Sequence, residues 1–207
     1  MFGFRIFIYT MLKIGITGGL GSGKTTVAQI FEVLGIAVYY ADAASKRLMN
    51  DDVQIKELVQ NAFGENIYED GRLNTKLLAD IVFKDVKKLE LLNSIVHPAT
   101  INDADNWMQQ QNAPYAIKEA ALIFESNSHK FLDFIIGVKA PEKIRIERGM
   151  QRDNLSRDEV LARMGKQMKE EEKLKLCNFI IKNDDEHLLI PQVLNLHEKL
   201  ILLSKSK

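Results

Sequence analysis

The chain alternates between short, nearly apolar runs and longer stretches in which apolar residues return every three or four positions. The short runs are 13–17 (KIGIT), 37–41 (AVYYA, ending at Asp42), 115–120 (YAIKEA), 134–138 (FIIGV) and 179–182 (FIIK). Their β-branched and aromatic content predicts buried strands. Residues 24–34 carry Val27, Ala28, Ile30, Phe31 and Leu34 at helical spacing, and Gly35 stops that helix. Between 43 and 111 the pattern predicts helices over 45–49, 54–63, 74–83, 86–95 and 101–111, with Asn74 as an N-cap and breaks at Gly64 and Glu69-Asp70-Gly71. Later in the chain, Pro141 opens a helix reaching about Gln151, Ser156 and Glu159 form a capping box for a helix over 157–168, and 188–203 closes the chain as an amphipathic helix.

A strand, a turn, a helix and a second strand make a βαβ unit, so the sheet is expected to be parallel, with ligands at the carboxyl ends of its strands. Asp42 falls at one such end. The long helical excursion then reads as an insertion over the open end of the sheet. A length of 207 residues suits one such α/β domain. Residues 1–10 (MFGFRIFIYT) are too short to span a membrane and lack a small-residue cleavage site. They read as an upstream extension or a minor extra strand, with Met11 as the functional start.

Composition removes several classes. Lys+Arg and Asp+Glu number 28 each, so no global field favours nucleic acid or an anionic membrane. The single cysteine, Cys177, rules out an intrachain disulfide, suits a reducing cytoplasm, and reads as a packed thiol.

The strongest chemical signal lies in 15–31 (GITGGLGSGKTTVAQIF), where Gly18, Gly23, Lys24 and Thr25 satisfy G-x-x-x-x-G-K-S/T between an apolar strand and an amphipathic helix. The glycines let successive N–H groups point into one concavity for phosphate oxygens, and the following helix adds the positive end of its dipole. Lys24 is placed to reach the β- and γ-phosphates, and the Thr25 hydroxyl to ligate Mg²⁺. No NKxD element for guanine is present. A small-molecule kinase is the expected class, with catalysis mainly by positioning and charge neutralisation.

Other residues carry two readings each. Asp42 is either the base that deprotonates an acceptor hydroxyl or the N-cap of the next helix. Arg145, Arg148 and Arg152 share one helix face; Arg148 and Arg152 either close over nucleotide as a lid or form a solvated face paired with Glu147. His97 precedes Pro98 and is expected to be extended, as a substrate contact or an ordinary packed histidine. Glu119 and Glu125 either assist Mg²⁺ or substrate, or form ion pairs.

Taken in order, GITGGLGSGKTTVAQIFEVLGIAVYYAD, the His97-Pro98 pair, EAALIFE at 119–125, ERGMQRD at 147–153 and FIIKN at 179–183 resemble the dephospho-CoA kinases from Leu12 to about His197. The resemblance implies an α/β, three-layer parallel-sheet P-loop kinase fold with a helical substrate-binding insertion and a lid. Its core would be 11–42 and 114–207, its insertion 43–113 and its lid about 145–168. It also implies transfer of the ATP γ-phosphoryl group to the 3′-hydroxyl of dephospho-CoA, the last step of coenzyme A synthesis, with Mg²⁺; the setting expected from the lone cysteine is the cytoplasm, and the oligomeric state stays open, with a monomer favoured. Residue by residue, Gly19, Leu20, Gly21, Ser22, Gly23, Lys24, Thr25 and Thr26 would hold ATP with Arg148 and with Asn183 near the adenine. Asp42 would be the general base, Arg152 the lid arginine, and His97 and Glu119 substrate contacts. Three positions depart from the family pattern: Tyr40 stands where an acid is frequent, the proline of the 119–125 motif is missing, and Asp184 and Asp185 follow Asn183 where glycine is frequent. Two alternatives remain open: a kinase of another nucleoside or nucleotide, and a regulatory protein that senses ATP.

Overall fold

The computed structural model describes residues 11–206, so the expectation for residues 1–10 lies outside the described residues. The chain divides into two compact units, one running up to Tyr39 and resuming at Met108, the other comprising Tyr40–Trp107.

The first unit is built on a five-stranded sheet. Strand β1 (Leu12–Thr17) leads into helix α1 (Lys24–Val33), and β2 (Val38–Tyr40) follows. β2 is shorter than the apolar run because Ala41 already begins the next helix. Gly35, at φ +82°, ends α1 in a Schellman arrangement: its N–H reaches Glu32 O and that of Ile36 reaches Phe31 O.

Helices α2 (Ala41–Asp51), α3 (Val53–Phe63), α4 (Thr75–Lys84) and α5 (Val86–Gln109), with the hairpin strands β3 (Tyr68–Glu69) and β4 (Arg72–Leu73), make up the excursion. Its core joins Met49, Ile55, Val59, Ile67, Leu78 and Val96. Asp52 caps α3 through Ile55 N–H, and Asn74 caps α4 through Leu77 N–H, each at 3.0 Å. The Glu69-Asp70-Gly71 break is a hairpin turn, with Asp70 at φ +49° and Gly71 at φ +76°, the signs a tight two-residue loop requires.

One expectation fails clearly. His97 is helical, and the helices expected at 86–95 and 101–111 are one helix with Pro98 inside it. An interior proline costs about 3 kcal/mol. Val96 is buried in the local core, and Leu89, Leu92, Ile95 and Ala99 pack against it; each large apolar side chain removed from water returns ~1.5–3 kcal/mol. Packing on both sides of the proline therefore overrides the local preference.

Strands β5 (Tyr115–Glu119), β6 (Phe134–Lys139) and β7 (Phe179–Lys182) complete the sheet in the order β2-β5-β1-β6-β7, with β1 parallel to β5 and β6, and β6 parallel to β7. Between and after them lie α6 (Glu142–Asp153), α7 (Arg157–Met164), the unforeseen α8 (Glu170–Lys175) and α9 (Leu189–Lys205). Pro141 is the N-cap of α6 and not its first residue, while the Ser156–Glu159 capping box forms as expected.

Register sorts the layers. Tyr115 lies beside Leu12 and Gly137 beside Thr17, an odd interval along β1, so the two face opposite sides of the sheet. On the first side Tyr115 meets Phe31 of α1 edge-on at 6.2 Å, and its hydroxyl lies 2.7 Å from His197 Nδ1 on α9. On the other, Gly137 leaves room for Leu174 and Cys177 at and beyond the end of α8. Helices on both faces of a mostly parallel sheet make the expected three layers.

Candidate functional site

The site of the first unit begins where β1 ends. Thr17 is fully buried, and the chain then turns through 18–23 to α1, whose N-cap is Gly23 at φ +87° with no side-chain cap. An uncapped helix start with adjoining backbone N–H groups is an anion site. A side chain at Gly21, at φ +75°, would strike the Arg145 backbone carbonyl, and one at Gly23 the Asn183 carboxamide. Glycine is required at both places by torsion and by space. Lys24 Nζ lies 3.4 Å from Gly19 O, Thr25 and Thr26 are exposed, and the buried Ser22 hydroxyl makes no hydrogen bond.

Helix α6 and the end of β7 wall the loop. Asn183 Nδ2 donates to Ser22 O at 2.8 Å, and Arg148 donates to Asn183 O at 3.2 Å and to Asp185 at 2.7 Å. Asn183 and Arg148 thus gather at the phosphate loop. A cavity of about 450 Å³ opens beside Asn183, lined also by Ile30, Asp185, His187, Leu188 and Ile190.

Arg145, given no individual role by sequence reasoning, is buried with its guanidinium against Gly19 and 3.5 Å from Glu170. Burial raises the Glu170 carboxyl above the ordinary range, and the Arg145 charge partly offsets that. The pairing of Arg148 and Arg152 with Glu147 is replaced by other partners. Arg148 holds Asp185, and Arg152, exposed at the end of α6, grips Asp153 at 2.8 and 2.9 Å. That bond keeps the Asp153 carboxyl below its usual value.

Glu119 is buried at the end of β5, beside Ile16. Glu125 takes the ion-pair reading: its Oε1 accepts from the fully buried Lys173 at 2.9 Å and from Met168 N–H at 2.9 Å. Lys173 also donates to Ala121 O at 2.7 Å, the carbonyl that accepts from the Thr17 hydroxyl. Sequence reasoning missed Lys173, which sits in a Glu-Glu-Glu-Lys run that reads as solvated, and Gln167, whose Oε1 accepts from Leu20 N–H at 3.0 Å. The Cys177 thiol donates to Lys173 O, and burial raises it to about 11, in keeping with a packed thiol.

Asp42 and His97 belong to the second unit. Asp42 is the second residue of α2 and is exposed; the N-cap is Tyr40, so the capping reading of Asp42 does not hold. His97 is half-buried in α5. Among the described residues no helix is long and apolar enough to cross a membrane.

The model of the dephospho-CoA kinase family matches residues 12–188. A dephospho-CoA kinase of Bacteroides fragilis is 38% identical over 186 residues, 89% of this chain and 91% of the relative. Among solved structures, a Thermus thermophilus protein superposes with a TM-score of 0.76 at 34% identity, over 93% of this chain and 97% of that one. The dephospho-CoA kinase of Campylobacter jejuni gives 0.68 at 26% identity, over 94% and 98%. Matched by the family's model over most of its length and by a relative at 38% identity, the chain belongs to the dephospho-CoA kinase family.

Proposed function

We propose that this protein is an ATP-dependent dephospho-CoA kinase, transferring the γ-phosphoryl group to the 3′-hydroxyl of dephospho-CoA to give coenzyme A and ADP. The observation that carries the reading is the uncapped start of α1 behind a glycine loop, in a chain of this family. Loop amides between Gly19 and Thr26, other than those of Leu20 and Ser22, which donate within the protein, hold the polyphosphate with the Lys24 ammonium; Asn183 borders the base in the adjoining cavity with Arg148 bonded to it, and Arg152 meets charge on the transferred group. The exposed Thr25 hydroxyl, a hard oxygen donor next to Lys24, fits Mg²⁺, which would neutralise charge on the β- and γ-oxygens. Asp42 takes the proton of the acceptor hydroxyl, with His97 and Glu119 as substrate contacts. A lone thiol with no disulfide partner suits the reducing cytoplasm.

The test is ADP release with Mg-ATP, with and without dephospho-CoA and against a panel of nucleosides and nucleoside monophosphates, in parent and Asp42→Asn proteins. Since Tyr40, not Asp42, caps α2, the substitution is expected to change stability by under ~1 kcal/mol, the range of a charge near a helix start. Loss of a positioned base lowers the rate by ~10²–10⁴-fold. Turnover of another acceptor in place of dephospho-CoA would refute the substrate, and a fully active Asp42→Asn protein would refute the base.

A further inference from the structure

The phosphate loop is gripped on both flanks by carboxamides from the last third of the chain. On one flank Asn183 donates to Ser22 O; on the other Gln167 accepts from Leu20 N–H. Gln167 lies between α7 and α8, and its own backbone is fixed. Its N–H reaches Met164 O at 3.1 Å, and the N–H of Met168 is held by Glu125, which is itself anchored on buried Lys173. The acceptor therefore arrives at the loop from a rigid base, in a half-buried position.

Two loop amides are thereby committed within the protein, Leu20 to Gln167 and Ser22 to Gly19 O. A loop built to receive a polyanion tolerates a neutral acceptor at its rim far better than a carboxylate, because like charge at close range in a partly desolvated site is repelled. We propose that Gln167 is a positioning residue for nucleotide: it fixes the rim of the phosphate loop at Leu20, and its neutrality is part of its role. The inference rests on the phosphate loop binding nucleotide and is independent of which acceptor is phosphorylated.

The experiment is calorimetric titration of the full chain with Mg-ADP and Mg-ATP for the parent, Gln167→Ala and Gln167→Glu, with thermal unfolding of the ligand-free proteins. Gln167→Glu keeps an acceptor for Leu20 N–H and adds a charge, so it is expected to unfold near the parent's temperature yet bind ATP at least about tenfold more weakly, with part of the loss recovered at high salt. Gln167→Ala is expected to weaken both nucleotides by a few-fold. Binding within twofold of the parent for both variants overturns the proposal, as does a lowered unfolding temperature with unchanged affinity. A parent protein that binds neither nucleotide overturns instead the reading of the loop.

Discussion

Lys173 has no exposed surface, yet carries a charge, and its two acceptors are Glu125 at 2.9 Å and Ala121 O at 2.7 Å. Lys173→Met keeps most of the volume and removes the charge, stranding Glu125 against the single N–H of Met168. Breaking a buried pair from one side costs ~3–5 kcal/mol. The Glu125 side chain keeps 22% of its surface, but its Oε2 is buried without a hydrogen bond, so at least the lower end, about 3 kcal/mol, applies. With a urea dependence of about 2 kcal/mol per molar, the midpoint should fall by about 1.5 M. Far-UV circular dichroism in urea reads this directly. Replacing both partners, as Glu125→Gln with Lys173→Met, leaves no buried charge and should recover about half of the loss. A midpoint shift under about 0.3 M for the single variant, or a double variant as unstable as the sum of the singles, would refute the argument.

Two further outcomes follow from titrating groups. Burial lowers the His197 pKa, Glu198 only partly opposing it, so the folded state prefers the neutral ring. Its stabilising contribution is therefore present above the unfolded value of about 6.5 and lost as pH falls through the lower folded value; urea midpoints between pH 7 and 5 should fall less in His197→Gln than in the parent. With its pKa raised to about 11, the Cys177 thiol at pH 8 should be alkylated about 200-fold more slowly than a free cysteine, the ratio of thiolate fractions against a pKa of about 8.5. Alkylation at the free rate would show that α8 leaves the sheet.

What was legible in the sequence was local. Gly21 and Gly23 announce the phosphate loop because the torsions they permit are set by neighbouring residues, and Ser156 and Glu159 announce α7 because a capping box closes within one turn. Pro98 misled because its local preference is outweighed by apolar neighbours that pack on residues as distant as Met49. The Asp70-Gly71 turn is a recognised hairpin signal, but strands of two residues leave no alternation to confirm it. Gln167 and Lys173 were illegible for a stronger reason. Their partners, Leu20 and Ala121, stand 147 and 52 positions away, and no spacing rule connects such residues.

The sheet order has a consequence for synthesis of the chain. β1 emerges first but lies between β5 and β6, so its earliest sheet partner begins at Tyr115. The Asn183 carboxamide that steadies Ser22 arrives 161 residues after it. The ribosome therefore releases the glycine loop long before anything can hold its shape, while the residues from Tyr40 to Trp107 have a core of their own to condense around. A nascent chain arrested before Phe179 should carry the intact G-x-x-x-x-G-K-T motif and still fail to retain nucleotide, so that capture on immobilised ATP reports completion of the last strand.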